Sequence, residues 1–386
     1  MSTLLATPDV APGGKTVVGR FYQPELDALR FFAFFGVFVF HAAPHTMDFY
    51  ASAGAPGWLG RLFIATFGAG AYGVDLFFAL SAYLITSLLL RERASQGAID
   101  LRGFYVRRIL RIWPLYLAFV VFAGIAARVI PGQALPLRYI AGYCLLAGNW
   151  IYVFHGLPAS FAIPLWTVSI EEQFYLLWPL ALRRVRLRSV AVIAIGVLIF
   201  ANLLRIGLAI AGAPVDAMEY NTFTRLDPIA LGTLIALFGH RLPTFSRWQR
   251  VALLGGGVVA WIAAYAFSVS SNPPDVSSVR LAAGHAVTAV ASVAILLSVL
   301  GSQNQFLRHG WLLYLGKISY GLYVVHELAH LCASWLVHAA TPLQVLAQSA
   351  VALVFTILLA AASYRWLESP FLRLKERFAH VQSRPV

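Results

Sequence analysis

Several apolar stretches of this sequence contain ionisable side chains that could perform acid–base chemistry. The first of them carries Glu25, Asp27, Arg30 and His41. A charged side chain at the centre of a membrane helix costs roughly 2.5 to 3.5 kcal/mol on insertion scales, so its presence there suggests a function. Imidazole titrates near neutral pH, which suits His41 to the role of general base.

Arg30 and His41 are eleven positions apart. Eleven positions are about three helical turns, so the two side chains share one helix face and lie about 16 Å apart along the axis. Arg30 would lie near one membrane surface and His41 deeper, in the opposite half. The alternatives are that Arg30 extends to the lipid headgroups and that His41 only hydrogen-bonds a neighbouring helix.

Two carboxylates in other apolar segments could assist a histidine base. Asp75 follows Gly73-Val74, and Glu171 precedes Glu172 in the stretch from Ser169 to Tyr175. Either carboxylate could accept the ring N–H of the histidine and so fix its orientation. The alternative for Asp75 is a helix N-cap. Neighbouring helical side chains point about 100° apart, so at most one of Glu171 and Glu172 is expected to face a given cavity.

An arginine cluster lies where the next apolar segment begins. Arg107, Arg108 and Arg111 occur within five positions, and Arg107 and Arg111 are expected to face the same way on a helix. Guanidinium groups bind phosphate through two parallel hydrogen bonds, so the cluster predicts a site for a phosphate-bearing ligand. Binding of lipid headgroups is the alternative.

Other polar residues in apolar surroundings are open to a structural interpretation. Arg225 and Asp227 are predicted to form an ion pair at the start of a helix. A later segment carries polar residues whose role the sequence leaves open between structure and function: Ser319, Tyr320, Tyr323, His326 and Glu327. Cys144 and Cys332 both fall in apolar stretches, so neither a disulfide framework nor a metal site is predicted.

The elements that must position these side chains are transmembrane helices. Hydrophobic residues make up 60% of the 386-residue chain and charged residues only 12%, against roughly 25% charged in soluble domains. Apolar runs of about twenty residues, the length that crosses a bilayer, recur along the sequence. Eleven candidate segments follow from them: 26–46, 69–90, 109–130, 139–155, 163–181, 190–212, 224–239, 251–268, 281–300, 312–337 and 344–365.

Basic loops set the predicted orientation. The segment from Arg91 to Arg108 and the segment from Arg183 to Arg188 are both rich in arginine and are therefore predicted to be cytoplasmic. The chain must then cross the membrane an even number of times between them, although three apolar segments lie there. Segment 139–155, the shortest of these three, is predicted to enter and leave on the same side; the alternative is that it shares a single crossing with segment 163–181. The prediction is an all-α transmembrane bundle with about ten spans and both termini in the cytoplasm.

The ends of the chain are predicted to flank one membrane domain, residues 25–370. Residues 1–24 are polar, lack the features of a signal peptide and are expected to be a disordered cytoplasmic tail. Residues 371–386 are expected to be a basic cytoplasmic tail. The net charge of +13 is attributed to loops that face anionic lipid, and no nucleic-acid partner is predicted.

In this order, the motifs resemble those of the acyltransferase 3 family of integral-membrane acyltransferases, which acylate sugars and related hydroxyl compounds. The resemblance covers residues 26 to 370. It rests on Leu26-Asp27-Ala28-Leu29-Arg30 with His41, Gly73-Val74-Asp75-Leu76-Phe77-Phe78, Phe104-Tyr105-Val106-Arg107-Arg108-Ile109-Leu110-Arg111, Ser169-Ile170-Glu171-Glu172-Gln173-Phe174-Tyr175, Arg225-Leu226-Asp227, Ile318-Ser319-Tyr320 with His326, and Glu368-Ser369-Pro370.

The resemblance implies a function and assigns residues to it. His41 would be essential, and Arg107, Arg108 and Arg111 would help to bind an acyl-CoA donor, acetyl-CoA being the commonest. We expect a bacterial cytoplasmic membrane enzyme that acylates a carbohydrate, a glycolipid or a small hydroxylated acceptor. His41 would act as the base, Asp75 or Glu171 would orient it, and Arg30 would hold the donor or steady the oxyanion. The alternative is a secondary transporter or translocator that uses the buried charges for substrate or proton coupling.

Overall fold

The computed structural model describes residues 9–10, 16–17, 21–268 and 278–378, and these residues are overwhelmingly helical. Most of the predicted N-terminal tail and residues 379–386 of the C-terminal tail lie outside the described residues. Near the N-terminus, β1 (Asp9–Val10) pairs with β2 (Thr16–Val17) in antiparallel fashion. The helices are α1 (Pro24–Ala42), α2 (Met47–Ser52), α3 (Gly57–Gly68), α4 (Gly73–Gln96), α5 (Leu101–Val129), α6 (Leu137–Cys144), α7 (Gly148–His155), α8 (Leu165–Arg184), α9 (Leu187–Ile210), α10 (Val215–Glu219), α11 (Asp227–Phe238), α12 (Arg247–Ser268), α13 (Ser278–Val299), α14 (Gly310–Lys317), α15 (Ser319–Leu336), α16 (Pro342–Ser363) and α17 (Ser369–Glu376).

Six helical stretches in the described part of the chain are long and apolar enough to cross a membrane: Gly57–Gln96, Leu101–Val129, Leu187–Ile210, Arg247–Ser268, Ser278–Val299 and Pro342–Glu376. This result confirms the all-helical, multi-pass membrane prediction in outline. Helix α1 is outside the six, and it carries three charged residues within 19 positions. Helix α11 has only 12 residues, about 18 Å at 1.5 Å per residue.

Segment 139–155 is two short helices joined by a turn. Each of α6 and α7 has 8 residues, about 12 Å, which is far less than a bilayer core of about 30 Å. Gln173 of α8 donates to the carbonyl of Leu146 in the turn, at 2.8 Å. The chain enters and leaves this helical hairpin at neighbouring points. The N–H of Ala134, before α6, donates to the carbonyl of Ala159, after α7, at 2.6 Å.

The neighbours of α8 fix its direction in the bundle. Ser81 and Thr86 of α4 hydrogen-bond Glu171 and Trp178 of α8, at 2.7 and 2.8 Å respectively. The higher-numbered residue of α4 pairs with the higher-numbered residue of α8, so α4 and α8 run in the same direction. Helix α5 runs in the opposite direction, because its Tyr105 and Trp113 bond Leu176 and Glu172 of α8 in reversed order.

Helix α1 lies at the centre of the bundle and contacts α4, α14, α15 and other elements. Phe34 and Phe38 of α1 contact the rings of His326 and His330 of α15, at 6.1 and 4.6 Å between ring centroids. These helices are therefore parallel. The largest cluster of buried apolar side chains is built from helices that include α1, α4, α5, α8 and α15. Peripheral helices are poorly covered: only 17% of the apolar window of α12 is buried, as expected for a surface that faces lipid.

Arg225 and Asp227 have separate partners, so the predicted ion pair between them is wrong. Arg225 Nη2 lies 3.0 Å from Asp75 Oδ1, and Arg205 Nη2 lies 2.7 Å from Asp227 Oδ2. Burial explains the difference, because a buried charge needs well-directed partners and these come from other helices. Burial alone would raise the pKa of Glu219 in the short helix α10, but nearby Arg225 and His285 outweigh it and hold that pKa down, at about 2.

Candidate active site

A cavity of about 150 Å³ lies between α1, α4, α5, α8 and α15. Its wall along α4 is mainly apolar, with Val74, Phe77 and Phe78 among the residues that line it. The lining also includes these ionisable side chains: Asp27, Arg30, Arg108, Arg111, Tyr175, Glu171 and Lys375. Lys375 comes from α17, which packs along α5, and Gln23, just before α1, lines the same cavity. The cavity therefore begins at the end of the bundle that carries the basic loop before α5.

Arg108 and Arg111 bring positive charge into this cavity without a counterion. Within the described part of the chain, neither guanidinium forms an ion pair or a hydrogen bond, and Arg108 Nε is buried without a partner. The Arg108 guanidinium lies over the rings of Phe104 and Tyr175, at 5.5 and 5.6 Å. Leaving a charge unpaired in a partly buried position is costly, so this arrangement suits an anionic ligand.

The other two predicted arginines are placed differently. Arg30 lines the cavity and donates from Nη1 to Asp27 Oδ1 at 2.9 Å. Arg107 points away from the cavity, and its Nη2 pairs with Glu92 Oε2 at 2.9 Å while Nη1 donates to the carbonyl of Phe378. Arg107 and Arg111 stand at i and i+4 of α5 and so share a helix face, as predicted, but only Arg111 lines the cavity. The buried carboxylate of Glu92 draws the Arg107 side chain aside.

Glu171 and Glu172 divide as the sequence predicts, because only one of them lines the cavity. Glu171 does so and accepts a hydrogen bond from Ser81 Oγ at 2.7 Å. Glu172 accepts from Trp113 Nε1 at 2.9 Å. Glu171 thus places a carboxyl group on the same cavity as Arg30 and Arg111.

His41 lies on the last turn of α1 and contacts α15. Its Nδ1 lies 3.0 Å from the carbonyl oxygen of Val37, 3.2 Å from His326 Nε2 and 3.4 Å from Glu327 Oε1. About 29% of the His41 side chain is accessible, whereas His326 is fully buried. His41 therefore presents one edge to the protein and leaves the other accessible.

Neither carboxylate expected to orient His41 contacts it. Asp75 pairs with Arg225 and accepts from Thr288 Oγ1 at 3.2 Å, while Glu171 faces the cavity. The groups that do reach His41 are His326 and Glu327, whose role the sequence left open. The sequence did contain a signal for them, because an ionisable residue within an apolar segment suggests a function and both residues belong to such a segment. Their pairing with α1 depends on tertiary packing, which the spacing of one chain does not reveal.

The cavity and the histidine cluster meet at one turn of α15. Tyr323 lines the cavity, and its hydroxyl accepts from Thr167 Oγ1 at 3.0 Å. Its carbonyl oxygen lies 2.6 Å from His326 Nδ1. A ligand that fills the cavity would therefore end against Tyr323, one turn from the imidazole that contacts His41.

One cluster in the described residues has the spacing of metal ligands. Ligand atoms of His41, His326 and Glu327 lie within 4.8 Å of one another. Two histidines and a carboxylate form a known zinc donor set. Hydrogen bonds from His41 to the carbonyl of Val37 and from His326 to the carbonyl of Tyr323 account for the same arrangement without a metal.

Comparison with known proteins places the chain in a family. A family model described as "Acyltransferase domain" matches residues 23–365. The chain is 29% identical over 377 residues to "Putative peptidoglycan O-acetyltransferase YrhL" of Bacillus subtilis, covering 90% of this chain and 55% of that protein. It is 28% identical over 378 residues to O-acetyltransferase OatA of Staphylococcus aureus, covering 90% of this chain and 57% of that protein.

The chain thus spans little more than half the length of the curated relatives it matches. Comparison with solved structures returns no match. The family match covers the arginines of α5, the histidine of α1 and every residue that lines the cavity except Phe21, Tyr22 and Lys375. The chain belongs to the acyltransferase 3 family and carries its acyltransferase domain.

Proposed function

We propose that this protein is a membrane-bound O-acyltransferase that moves an acyl group, acetyl in the simplest case, from acyl-CoA to a hydroxyl group of a carbohydrate or related acceptor. The observation that carries the proposal is the cavity itself. It holds two arginines without counterions and ends one helical turn from a histidine pair. The names of the relatives support acetyl as the group transferred and peptidoglycan as one candidate acceptor.

Donor binding is assigned to Arg108, Arg111 and Arg30. Guanidinium groups form charge-assisted hydrogen bonds with phosphate oxygens, and acyl-CoA carries several phosphates. Arg30 is some 16 Å along α1 from His41 by helix geometry, too far to touch a carbonyl that is reacting there. Its position on the cavity wall supports a role in holding the donor and argues against the stabilisation of an oxyanion.

The chemical step is assigned to His41. Its accessible imidazole nitrogen takes the proton of the acceptor hydroxyl, and the hydroxyl oxygen bonds to the thioester carbonyl carbon. The carbon–sulfur bond then breaks, and the CoA thiolate takes the proton back from the imidazolium. An acyl ester and free CoA result, and no other co-reactant is needed. General-base catalysis of this kind contributes typically 10²–10⁴-fold.

The same proposal includes ten membrane crossings, with both termini in the cytoplasm of a bacterial cell. The parallel direction of α4 and α8, with α5 antiparallel, supports an α6–α7 hairpin that enters and leaves on one side. The parallel direction of α1 and α15 supports an even number of crossings from the start of one to the start of the other. In this orientation the cavity opens to the cytoplasm, where acyl-CoA is found.

The test is transfer of labelled acetyl from acetyl-CoA by purified protein in lipid nanodiscs, with peptidoglycan fragments and lipid-linked sugars as acceptors. We expect His41→Ala to lose at least about 100-fold in rate, the contribution of a general base. His45→Ala is the matched control, because His45 lies just beyond α1 and bonds only the carbonyl of Phe40. Its rate should stay within about twofold of the wild-type rate.

Wild-type transfer by a folded His41→Ala variant would overturn the assignment of the base. Substrate uptake into proteoliposomes without any transfer would overturn the enzymatic proposal itself and favour a transporter.

A further inference from the structure

The hydrogen-bond geometry at His326 fixes which of its nitrogens carries the proton. Its Nδ1 lies 2.6 Å from the carbonyl oxygen of Tyr323. A carbonyl oxygen only accepts, so Nδ1 must donate. A neutral imidazole has one donor and one acceptor, and Nε2 of the buried His326 therefore offers a lone pair. This lone pair is directed at His41 Nδ1, 3.2 Å away.

The tautomer of His41 follows from the same reasoning. Its Nδ1 lies 3.0 Å from the carbonyl of Val37 and 3.2 Å from the lone pair of His326 Nε2. Both neighbours accept, so Nδ1 carries a proton that the two acceptors share. The lone pair of neutral His41 then resides on Nε2, for which no hydrogen bond is found in the described residues. Nε2 is thus the nitrogen that is able to remove a proton.

We infer that His326 is the positioning residue of the general base, holding His41 in the tautomer and ring orientation that leave Nε2 free for the acceptor hydroxyl. The inference rests on the proposed function and assigns a role to a residue that neither the spacing of the motifs nor the comparisons assign. In the serine-protease triad a carboxylate orients the histidine. Here the orienting group is a second, neutral imidazole, itself fixed by a backbone carbonyl.

Glu327 supplies the charge that a neutral histidine lacks. Its Oε1 is buried, has no hydrogen bond to the described residues and lies 3.4 Å from His41 Nδ1. When His41 takes up a proton, this oxygen becomes the nearest anion to the imidazolium. Opposite charges at this distance in a poorly solvated site attract strongly. Two adjacent residues of α15 thus have different roles: His326 orients the His41 ring, and Glu327 stabilises the His41 imidazolium.

The experiment compares His326→Phe and His326→Gln in nanodiscs, measuring kcat and the KM for acetyl-CoA. Phenylalanine keeps a planar ring but removes both nitrogens, whereas glutamine can return an acceptor oxygen near the position of Nε2. We expect kcat of the Phe variant to fall about 10- to 100-fold, part of the general-base contribution. Its KM for acetyl-CoA should stay within about twofold, and the Gln variant should recover much of the lost kcat.

The matched control is His330→Phe. His330 lies one turn further along the same helix, stacks on Phe38 at 4.6 Å and meets the His326 ring edge-on at 6.3 Å between centroids, and phenylalanine keeps a ring in both contacts. Its kcat should match that of the wild type. Thermal unfolding and size-exclusion profiles of all variants show which of them are folded, and the Gln variant keeps the test valid if the Phe variant does not fold.

Three results would overturn the inference: wild-type kcat in folded His326→Phe, a rise in KM with kcat unchanged, or no recovery in His326→Gln. A stoichiometric metal whose removal abolishes activity would also overturn it, because the three converging ligand atoms would then hold an ion. If His41→Ala is inactive while the His326 variants are unaffected, only the inference fails. If His41→Ala is active, the proposed mechanism fails with it.

Discussion

Under the proposed function, removing Arg108 or Arg111 should separate donor binding from chemistry. Both line the cavity, and neither has an ion-pair partner in the described chain. We expect Arg108→Gln and Arg111→Gln each to raise the KM for acetyl-CoA about 10- to 100-fold, since a hydrogen bond to a charged group contributes roughly 1.5 to 3 kcal/mol. Steady-state kinetics in nanodiscs measures the effect. The value of kcat at saturating donor should change far less.

Arg102→Gln is the control for these variants, because Arg102 is an exposed arginine on the same helix. Its KM should be that of the wild type. An unchanged KM in both cavity variants would show that the two guanidinium groups bind something other than the donor.

Arg107 should behave differently from its two neighbours, since it is tied to a buried carboxylate. The side chain of Glu92 is only 3% exposed, and removing one partner of a buried pair costs about 3 to 5 kcal/mol. We expect Arg107→Met to lower the melting temperature strongly while the KM for acetyl-CoA stays near the wild-type value. The double variant Arg107→Met with Glu92→Met should recover part of the loss. A raised KM for acetyl-CoA with an unchanged melting temperature would instead show that Arg107 binds the donor.

Close approach between helices holds the elements of the cavity in place. A Cβ added to Gly232 of α11 would overlap the backbone carbonyl of Ala79 on α4. We expect Gly232→Ala to destabilise the fold by about 1 to 3 kcal/mol, the usual cost of overpacking. The loss would appear as a lower melting temperature and as reduced activity, because α4 also carries Ser81.

Gly207→Ala in α9 is the matched control, since no atom lies within 4 Å of the added Cβ. Alanine is favoured over glycine inside a helix by roughly 0.5 to 1 kcal/mol, so this variant should be as stable as the wild type or more so. Equal losses in both variants would mean that helix flexibility, and not the contact with Ala79, limits stability.

The sequence predicts elements better than it predicts contacts, and the reason is physical. Apolar length identifies α5, α9, α12, α13 and α16 without any knowledge of their neighbours, because length and hydropathy are properties of a single segment. The charge of the basic loops also anticipates that segment 139–155 is exceptional, and the structure resolves this segment into α6 and α7.

Contacts between distant helices are beyond the reach of spacing within one segment. Arg30, Arg108, Arg111 and Glu171 line one cavity, although Glu171 was expected to contact His41. Asp75 was expected at His41 and is instead 3.0 Å from Arg225, a residue 150 positions away in the sequence. Partner choice among buried charges is decided by which helices pack together, and one sequence carries no direct record of that.

At the scale of the whole molecule, the proposed function gives the arrangement of helices a consequence for the side from which each substrate would arrive. The cavity lies at the end of the bundle that carries Arg108, Lys375 and the N-terminal end of α1. His41 lies at the other end of α1. A donor from the cytoplasm and an acceptor from the outer side could therefore approach the same imidazole from opposite directions, provided that the α6–α7 hairpin does not cross the membrane.

Cysteine labelling tests this topology directly. In a background with Cys144→Ala and Cys332→Ala, single cysteines are introduced as Ala134→Cys, Leu157→Cys and Arg186→Cys, each at an exposed position in a loop. Because Ala134 and Ala159 are hydrogen-bonded to each other, the two ends of the hairpin should share one side. We expect a membrane-impermeant maleimide to label the first two cysteines in intact cells and the third only after permeabilisation. Labelling of the first two from opposite sides would make 139–155 a true crossing, reverse every later helix and place the C-terminus outside.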